Sequence, residues 1–199
     1  MTAMKLGLGV VATLLLAACS REQPEGSPRQ PDETTAAPAE KTTPTEPAHE
    51  AVAQVAPTQG NTVTGSLALA PSSEGVHITG AIQGLKPNAE FGFHIHEKGD
   101  CSAPDATSAG AHFNPTSQQH GNPQGQPHHA GDMLNVKSDA QGVAEVSIDN
   151  PDVSLQTGQP NDIIGKALVL HAKPDDYKTQ PSGDSGDRIA CGVVAIQTN

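Results

Sequence analysis

Several stretches in the later two-thirds of the chain alternate apolar and polar residues with a period of two. From Thr62 to Ala70, Val63, Leu67 and Leu69 share one parity, and Thr62, Thr64 and Ser66 the other. Between Gly75 and Gly84, Val76, Ile78 and Ile82 line one face; between Val143 and Asp149, Ala144, Val146 and Ile148 point inward. This alternation describes a strand with one face in a core and the other in water. Further strands are predicted at 91–97, 132–137, 167–171 and 189–197, with glycine-rich turn signals between the runs. The pattern is that of an antiparallel all-β sandwich or barrel. The interval 98–131 has no apolar periodicity but holds four histidines. A loop so long in a compact domain is normally functional or disordered, and its histidines favour function.

The first 58 residues read differently. Lys5 precedes an apolar run from Leu6 to Ala18, shorter than the roughly 20 residues a membrane span requires. It has the charged and apolar regions of a secretory signal, so residues 1–18 are assigned as a signal peptide. The run ends Leu16-Ala17-Ala18-Cys19, which resembles the lipobox of bacterial lipoproteins and implies lipidation of Cys19. Ser20 resembles the preference for the outer membrane. The expected localisation is therefore the bacterial cell envelope, with membrane contact only through the lipid anchor. Residues 20–58 contain seven Pro among Thr, Ala, Glu and Gln, and almost no large apolar side chain. Such a segment buries too little surface to offset its ordering entropy, so 19–58 is expected to be a flexible tether and 59–199 the folded domain. His49, in the tether, and His77, on the polar parity of its strand, are read as solvated.

Composition narrows the function. The 199 residues carry 11 Lys+Arg against 22 Asp+Glu, a formal charge of −11. The stretch 59–199 keeps 7 of the bases and 15 of the acids. That balance excludes nucleic-acid binding, which needs a basic face. Aromatic residues are 2% and Trp is absent, so a base-stacking platform is excluded too. Nine histidines in so aromatic-poor a chain are the unusual feature.

In Phe91-Gly92-Phe93-His94-Ile95-His96-Glu97, a strand sends Phe91, Phe93 and Ile95 to one face and both histidines to the other. The histidines can then bind a metal while the aromatic residues anchor the strand in the core. His112, His120, His129 and Asp132 follow at intervals of 8, 9 and 3. Three imidazoles and a carboxylate form a closed set that suits Zn²⁺. By composition alone, His128 could replace His129. His171, after Ala167-Leu168-Val169-Leu170, supplies a further ligand near the first pair.

The His94-Ile95-His96 pair, Gly110-Ala111-His112-Phe113-Asn114-Pro115, the histidine loop and Arg188-Ile189-Ala190-Cys191-Gly192 together resemble the copper/zinc superoxide dismutases over about residues 60–199. The resemblance implies a Greek-key β-barrel or sandwich of about eight antiparallel strands with long metal-binding and electrostatic loops. It implies copper held by His94, His96, His112 and His171, and zinc held by His112, His120, His129 and Asp132, with His112 shared. Superoxide anion would be converted to oxygen and hydrogen peroxide as copper alternates between Cu²⁺ and Cu⁺. His112 would carry a proton and Arg188 would hydrogen-bond the bound anion. Register with the family selects His129 over His128 and leaves His128 exposed. An Asp following His171 would link a copper histidine to a zinc histidine; spacing favours Asp175, with Asp176 open. Cys101 and Cys191 would form a disulfide, leaving Cys19 for lipid. The loop between Cys101 and His112 is longer, by Ala103 to Thr107, than in compact cytosolic members, where it shares in the dimer interface. Monomer and homodimer both stay open. Two other functions fit less well. A metal-buffering module has no use for Arg188, and a zinc hydrolase needs an open position that this ligand set lacks.

Overall fold

Val76, Ile78 and Ile82 are fully buried, as are Leu67, Leu69 and Ala144, so the alternating runs do form strands with one face inward. The computed structural model describes residues 48–198. It contains strands β1 (Ala51–Pro57), β2 (Thr64–Ser72), β3 (Gly75–Gln83), β4 (Glu90–Phe91), β5 (Phe93–His96), β6 (Val136–Lys137), β7 (Ala144–Asn150), β8 (Ala167–His171) and β9 (Arg188–Ile196). A single 3₁₀ turn, Thr107–Ala109, is the one helical element among the described residues. The signal peptide, Cys19 and the tether up to residue 47 lie outside the described residues.

Seven strands form one curled antiparallel sheet in the order β5-β8-β9-β1-β2-β3-β7, while β4 pairs with β6. Neighbours β9–β1, β5–β8 and β3–β7 are distant in sequence, so long connections cross over hairpins in Greek-key fashion. The strand expected at 91–97 is split at Gly92: its first half joins β6 and its second half joins β8. Of the strand expected at 132–137, only Val136–Lys137 forms a strand, while Asp132 makes a single bridge to His94 within the histidine loop.

The boundary expected at residue 59 is corrected. Residues 51–57 are not tether but strand β1, seated between β2 and β9 with Ala51, Ala53 and Val55 buried. Ala51, Ala53 and Val55 share the inward parity, but the intervening Val52 is itself apolar and half-buried, and the small alanine side chains carry a weak hydrophobic signal. Their burial comes from the flanking strands rather than from bulk.

One glycine explains how tightly the sheet curls. Gly80 lies on the inward parity of β3 at φ 143°, and a Cβ there would stand 2.2 Å from the Ser66 carbonyl. The bare backbone lets β3 bend over β2 without displacing Leu67.

Candidate metal centre

The strand β5 positions the first two ligands. Phe93 and Ile95 are fully buried in the core, which forces His94 and His96 to the opposite face. The histidine loop is laid along β5 as a further, irregular strand. Phe113 N–H donates to the Ile95 carbonyl at 2.8 Å, and Ile95 N–H donates to Gly131 at 2.9 Å. Bridges pair His94 with Asp132 and His96 with His112. Gly131 makes this approach possible, since a Cβ there would stand 2.3 Å from the Ile95 carbonyl oxygen. On the other side, β8 ends in a bulge between Leu170 and His171 that sets His171 opposite Arg188 on β9. Such a bulge re-aims a side chain.

Two groups of four residues result, His94, His96, His112 and His171, and His112, His120, His129 and Asp132; within each, the candidate ligand atoms lie within 4.8 Å of one another. All seven residues are buried. Asp175 joins the groups: its Oδ2 accepts from His94 Nε2 at 2.8 Å and its Oδ1 from His120 Nε2 at 3.0 Å.

The hydrogen bonds show which ring nitrogens are free for a cation. His96 Nδ1 donates to the Gly110 carbonyl and His171 Nδ1 to Gly186. Their Nε2 atoms are then both lone pairs, and they face each other at 3.4 Å. His94 has spent Nε2 on Asp175, and its buried Nδ1 has no partner. His112 Nε2 is likewise buried and unpartnered, whereas His112 Nδ1 lies 2.8 Å from Asp132. On the far side of His112, His120 Nδ1 and His129 Nδ1 stand 3.0 and 3.3 Å from Asp132 oxygens without making hydrogen bonds. Unsatisfied buried nitrogens converging from several elements are costly in a protein core. They are what a metal would satisfy, so the donor set fits one cation on each side of His112.

Titration follows the same geometry. Burial pushes His112 down to about 4 and His171 to about 3, and it also lowers His94 and His96, so these rings stay neutral and able to ligate. Burial also works downward on His120, but the Asp132 and Asp175 carboxylates outweigh it and hold the ring up at about 9. Despite burial, the surrounding imidazoles keep Asp132 and Asp175 well below the usual carboxylate range.

Comparison with known proteins agrees with this construction. Residues 63–194 match the sequence profile of the family described as copper/zinc superoxide dismutase. The chain belongs to the copper/zinc superoxide dismutase family. Superoxide dismutase [Cu-Zn] 2 of Aquifex aeolicus is 46% identical over 150 residues, covering 73% of this chain and 86% of its own. Superoxide dismutase-like protein YojM of Bacillus subtilis is 46% identical over 126 residues, covering 61% of this chain and 63% of its own. Among solved structures, a SOD-like protein from Bacillus subtilis superposes with a TM-score of 0.65 at 42% identity, covering 71% of this chain and 96% of its own. The clock protein EA4 superposes with a TM-score of 0.68 at 38% identity, covering 75% of this chain and 96% of its own. The chain is therefore an oxidoreductase of superoxide, with copper and zinc as its cofactors.

In this superoxide dismutase the histidines open onto a cavity of ≈ 670 Å³ lined by His96, His112, His129, His171 and Arg188, among others. Arg188 makes no ion pair with Asp184 or Asp187. Its Nη1 donates to the Ala106 carbonyl and its Nη2 to Gly110, each at 2.6 Å. Its cation is thus fixed by neutral carbonyl acceptors, with Asp105 near enough to act on it electrostatically but not paired with it. Those acceptors belong to the extended loop after Cys101, which is tied to β9 by the Cys101–Cys191 disulfide.

One expectation fails here. His128 is not exposed but buried, with Nδ1 on the Gly125 carbonyl and Nε2 2.9 Å from Asp152. It stays outside both ligand groups. Asp175 and Asp176 are distinguished by burial: Asp175 is buried between the two rings, while Asp176 is exposed and accepts from the backbone N–H groups of Lys178 and Thr179. His77 pairs with Asp149 across β3 and β7 at 2.7 Å, far from the site in topology. Sequence reasoning missed Asn135, whose side-chain amide binds both backbone groups of Asp175. It also missed Tyr177, whose hydroxyl accepts from Asn135 N–H. Their contacts are non-local, and no spacing rule would reveal them.

A pH prediction follows for the metal-free protein. Unfolded imidazoles take a proton near pH 6.5, but native His112 and His171 refuse one until about 4 and 3. The unfolded state therefore binds more protons in that window, and stability falls with acidification. His120 has the opposite sign: its contribution is full below 6.5 and fades as pH rises through about 9. With His120 already at full contribution below 6.5, the urea midpoint of metal-free protein should drop steadily from pH 6.5 to 4. The loss is on the order of 3 kcal/mol for one such buried ring. A midpoint flat over this range would contradict the burial of neutral imidazoles.

Proposed function

We propose that the protein dismutates superoxide to oxygen and hydrogen peroxide at copper held by His94, His96, His112 and His171, beside zinc held by His112, His120, His129 and Asp132. The observation that carries this is the position of one ring, His112, common to both groups of candidate ligands. Bound copper supplies one-electron cycling between Cu²⁺ and Cu⁺, and bound zinc supplies fixed positive charge without redox chemistry. Two superoxide anions and two protons give one O₂ and one H₂O₂. Everything else is asked of the chain. Arg188 borders the cavity and orients the incoming anion with N–H groups left free by Ala106 and Gly110. His112 Nε2 takes up and returns one of the protons; Asp132, 2.8 Å from Nδ1 in the metal-free chain, holds the ring so that Nδ1 would face zinc. Asp175 locks the tautomers of His94 and His120 from behind.

The net charge opposes substrate capture. The chain carries −11, and its substrate is an anion, so a local cation must dominate near the site. Arg188→Ala is expected to lower kcat/KM by roughly tenfold to a hundredfold, the equivalent of a hydrogen bond to a charged group. In the native protein the rate should fall as ionic strength rises, and this slope should flatten in Arg188→Ala. A native rate that climbs with salt would show that overall repulsion governs encounter. A metal store would have no need of a cation held at the mouth of the site, which favours turnover over storage.

We further place this activity in the bacterial cell envelope, with Cys19 lipidated and the domain protecting that compartment from superoxide. The lipobox-like Leu16-Ala17-Ala18-Cys19 supports this, and the Cys101–Cys191 disulfide suits an oxidising compartment. Cys19→Ser should release the protein from the membrane fraction.

A further inference from the structure

His120 is held from two directions. Its ring is fixed by Asp175, and Asp175 is fixed in turn by Asn135. The second hold is on its backbone and comes from a side chain that makes no hydrogen bond to any candidate ligand ring. Gln180 Oε1 accepts from His120 N–H at 3.0 Å, and Gln180 Nε2 donates to the His120 carbonyl at 2.8 Å. The amide reproduces the double hydrogen bond that a neighbouring strand would give, at a point where the loop has no strand beside it. Gln180 is otherwise exposed, so these bonds are its structural work, apart from a longer contact to the Lys178 carbonyl at 3.3 Å. Asp175 and Gln180 lie on one loop, and the two ends of His120 are therefore gripped by the same short segment. Gly183 closes the arrangement, since a Cβ there would overlap Asp175 and stand 2.7 Å from His120 Nε2.

We propose that Gln180 is a positioning residue for zinc: by clamping the His120 backbone it sets how long the zinc group retains its ion, without acting on the copper group. This rests on the assignment of His120 to zinc made above. A ligand whose Cα is free to drift loses its alignment even when its ring partner is intact. Indirect supports of this kind change metal affinity by roughly 10- to 100-fold.

The test measures zinc transfer from fully loaded protein to a chromophoric chelator. Gln180→Met keeps the length and removes both hydrogen bonds. Zinc release should accelerate roughly 10- to 100-fold, while copper affinity stays within twofold. Co²⁺ loaded in place of zinc should show altered visible bands, a change that a general loss of stability would not produce. Gln124→Met, an exposed amide in the same histidine loop, should change neither readout. Unchanged zinc release and an unchanged Co²⁺ spectrum in Gln180→Met would overturn the inference. His120→Ala separates the two levels. If that variant holds zinc normally, the ligand assignment itself fails; if it loses zinc while Gln180→Met does not, the clamp alone is refuted.

Discussion

Replacing His112 by Ala should abolish superoxide turnover and weaken both metals together, whereas His129→Ala should weaken zinc alone. The reason is positional: His112 contributes to both groups of candidate ligands, and His129 to one. The energetics give the prediction a sign that separates a ligand from an ordinary buried residue. Without metal, His112 Nε2 is buried and unpartnered, a state that costs about 1–3 kcal/mol. Deleting the ring removes that cost along with the Asp132 hydrogen bond and the stacking on His94 at 3.9 Å. The metal-free variant should therefore melt close to the metal-free native protein. The loaded proteins should differ widely. A thousandfold loss in affinity removes about 4 kcal/mol of linked stability, roughly 10 °C in Tm for a domain of this size. Calorimetry with and without copper and zinc, beside a superoxide decay assay, tests all of this. His77→Ala is the control, since that ring is surface-bound to Asp149, and it should leave activity unchanged. Equal loss of stability in metal-free and loaded protein would make His112 a core residue, and the catalytic reading would fall.

The parts that were legible in the sequence are those that depend on local periodicity. The runs in β2, β3 and β7 alternate because each has one wet face, and His94 and His96 share a face because Phe93 and Ile95 claim the other. What escaped depends on neighbours far along the chain. Strand β1 was hidden because Ala51 and Ala53 carry little hydrophobic signal beside a Pro-rich segment, and only pairing with β2 and β9 makes them core. His128 looked exposed because its partner Asp152 lies 24 residues away. Asn135 and Gln180 act through the backbone of Asp175 and His120, contacts that leave no trace in residue type or spacing. The metal groups were readable in outline because imidazoles are rare enough to stand out. The side chains that hold them in place are common amides and do not.

Removing the disulfide with Cys101→Ser and Cys191→Ser should destabilise the domain and slow it as a catalyst, through two separable causes. The bond joins residues 90 apart. On the chain-entropy account, opening a loop of that length costs about 4–5 kcal/mol, or roughly 10–20 °C in Tm. The catalytic effect has another origin. Cys101 begins the loop whose Ala106 and Gly110 carbonyls hold Arg188, and Cys191 stands three residues beyond Arg188 on β9. The same covalent link thus fixes both the cation and its acceptors. At a temperature where oxidised and Ser variants are fully folded and metallated, the variant should still show a lower kcat/KM and a flatter salt dependence, in the manner of Arg188→Ala. Oligomeric state and metal content are measured on the same samples, so that neither can stand in for the loss. If the folded, metallated variant turns over superoxide at the native rate with the native salt slope, the loop holds Arg188 without help from the disulfide. The bond would then serve stability alone.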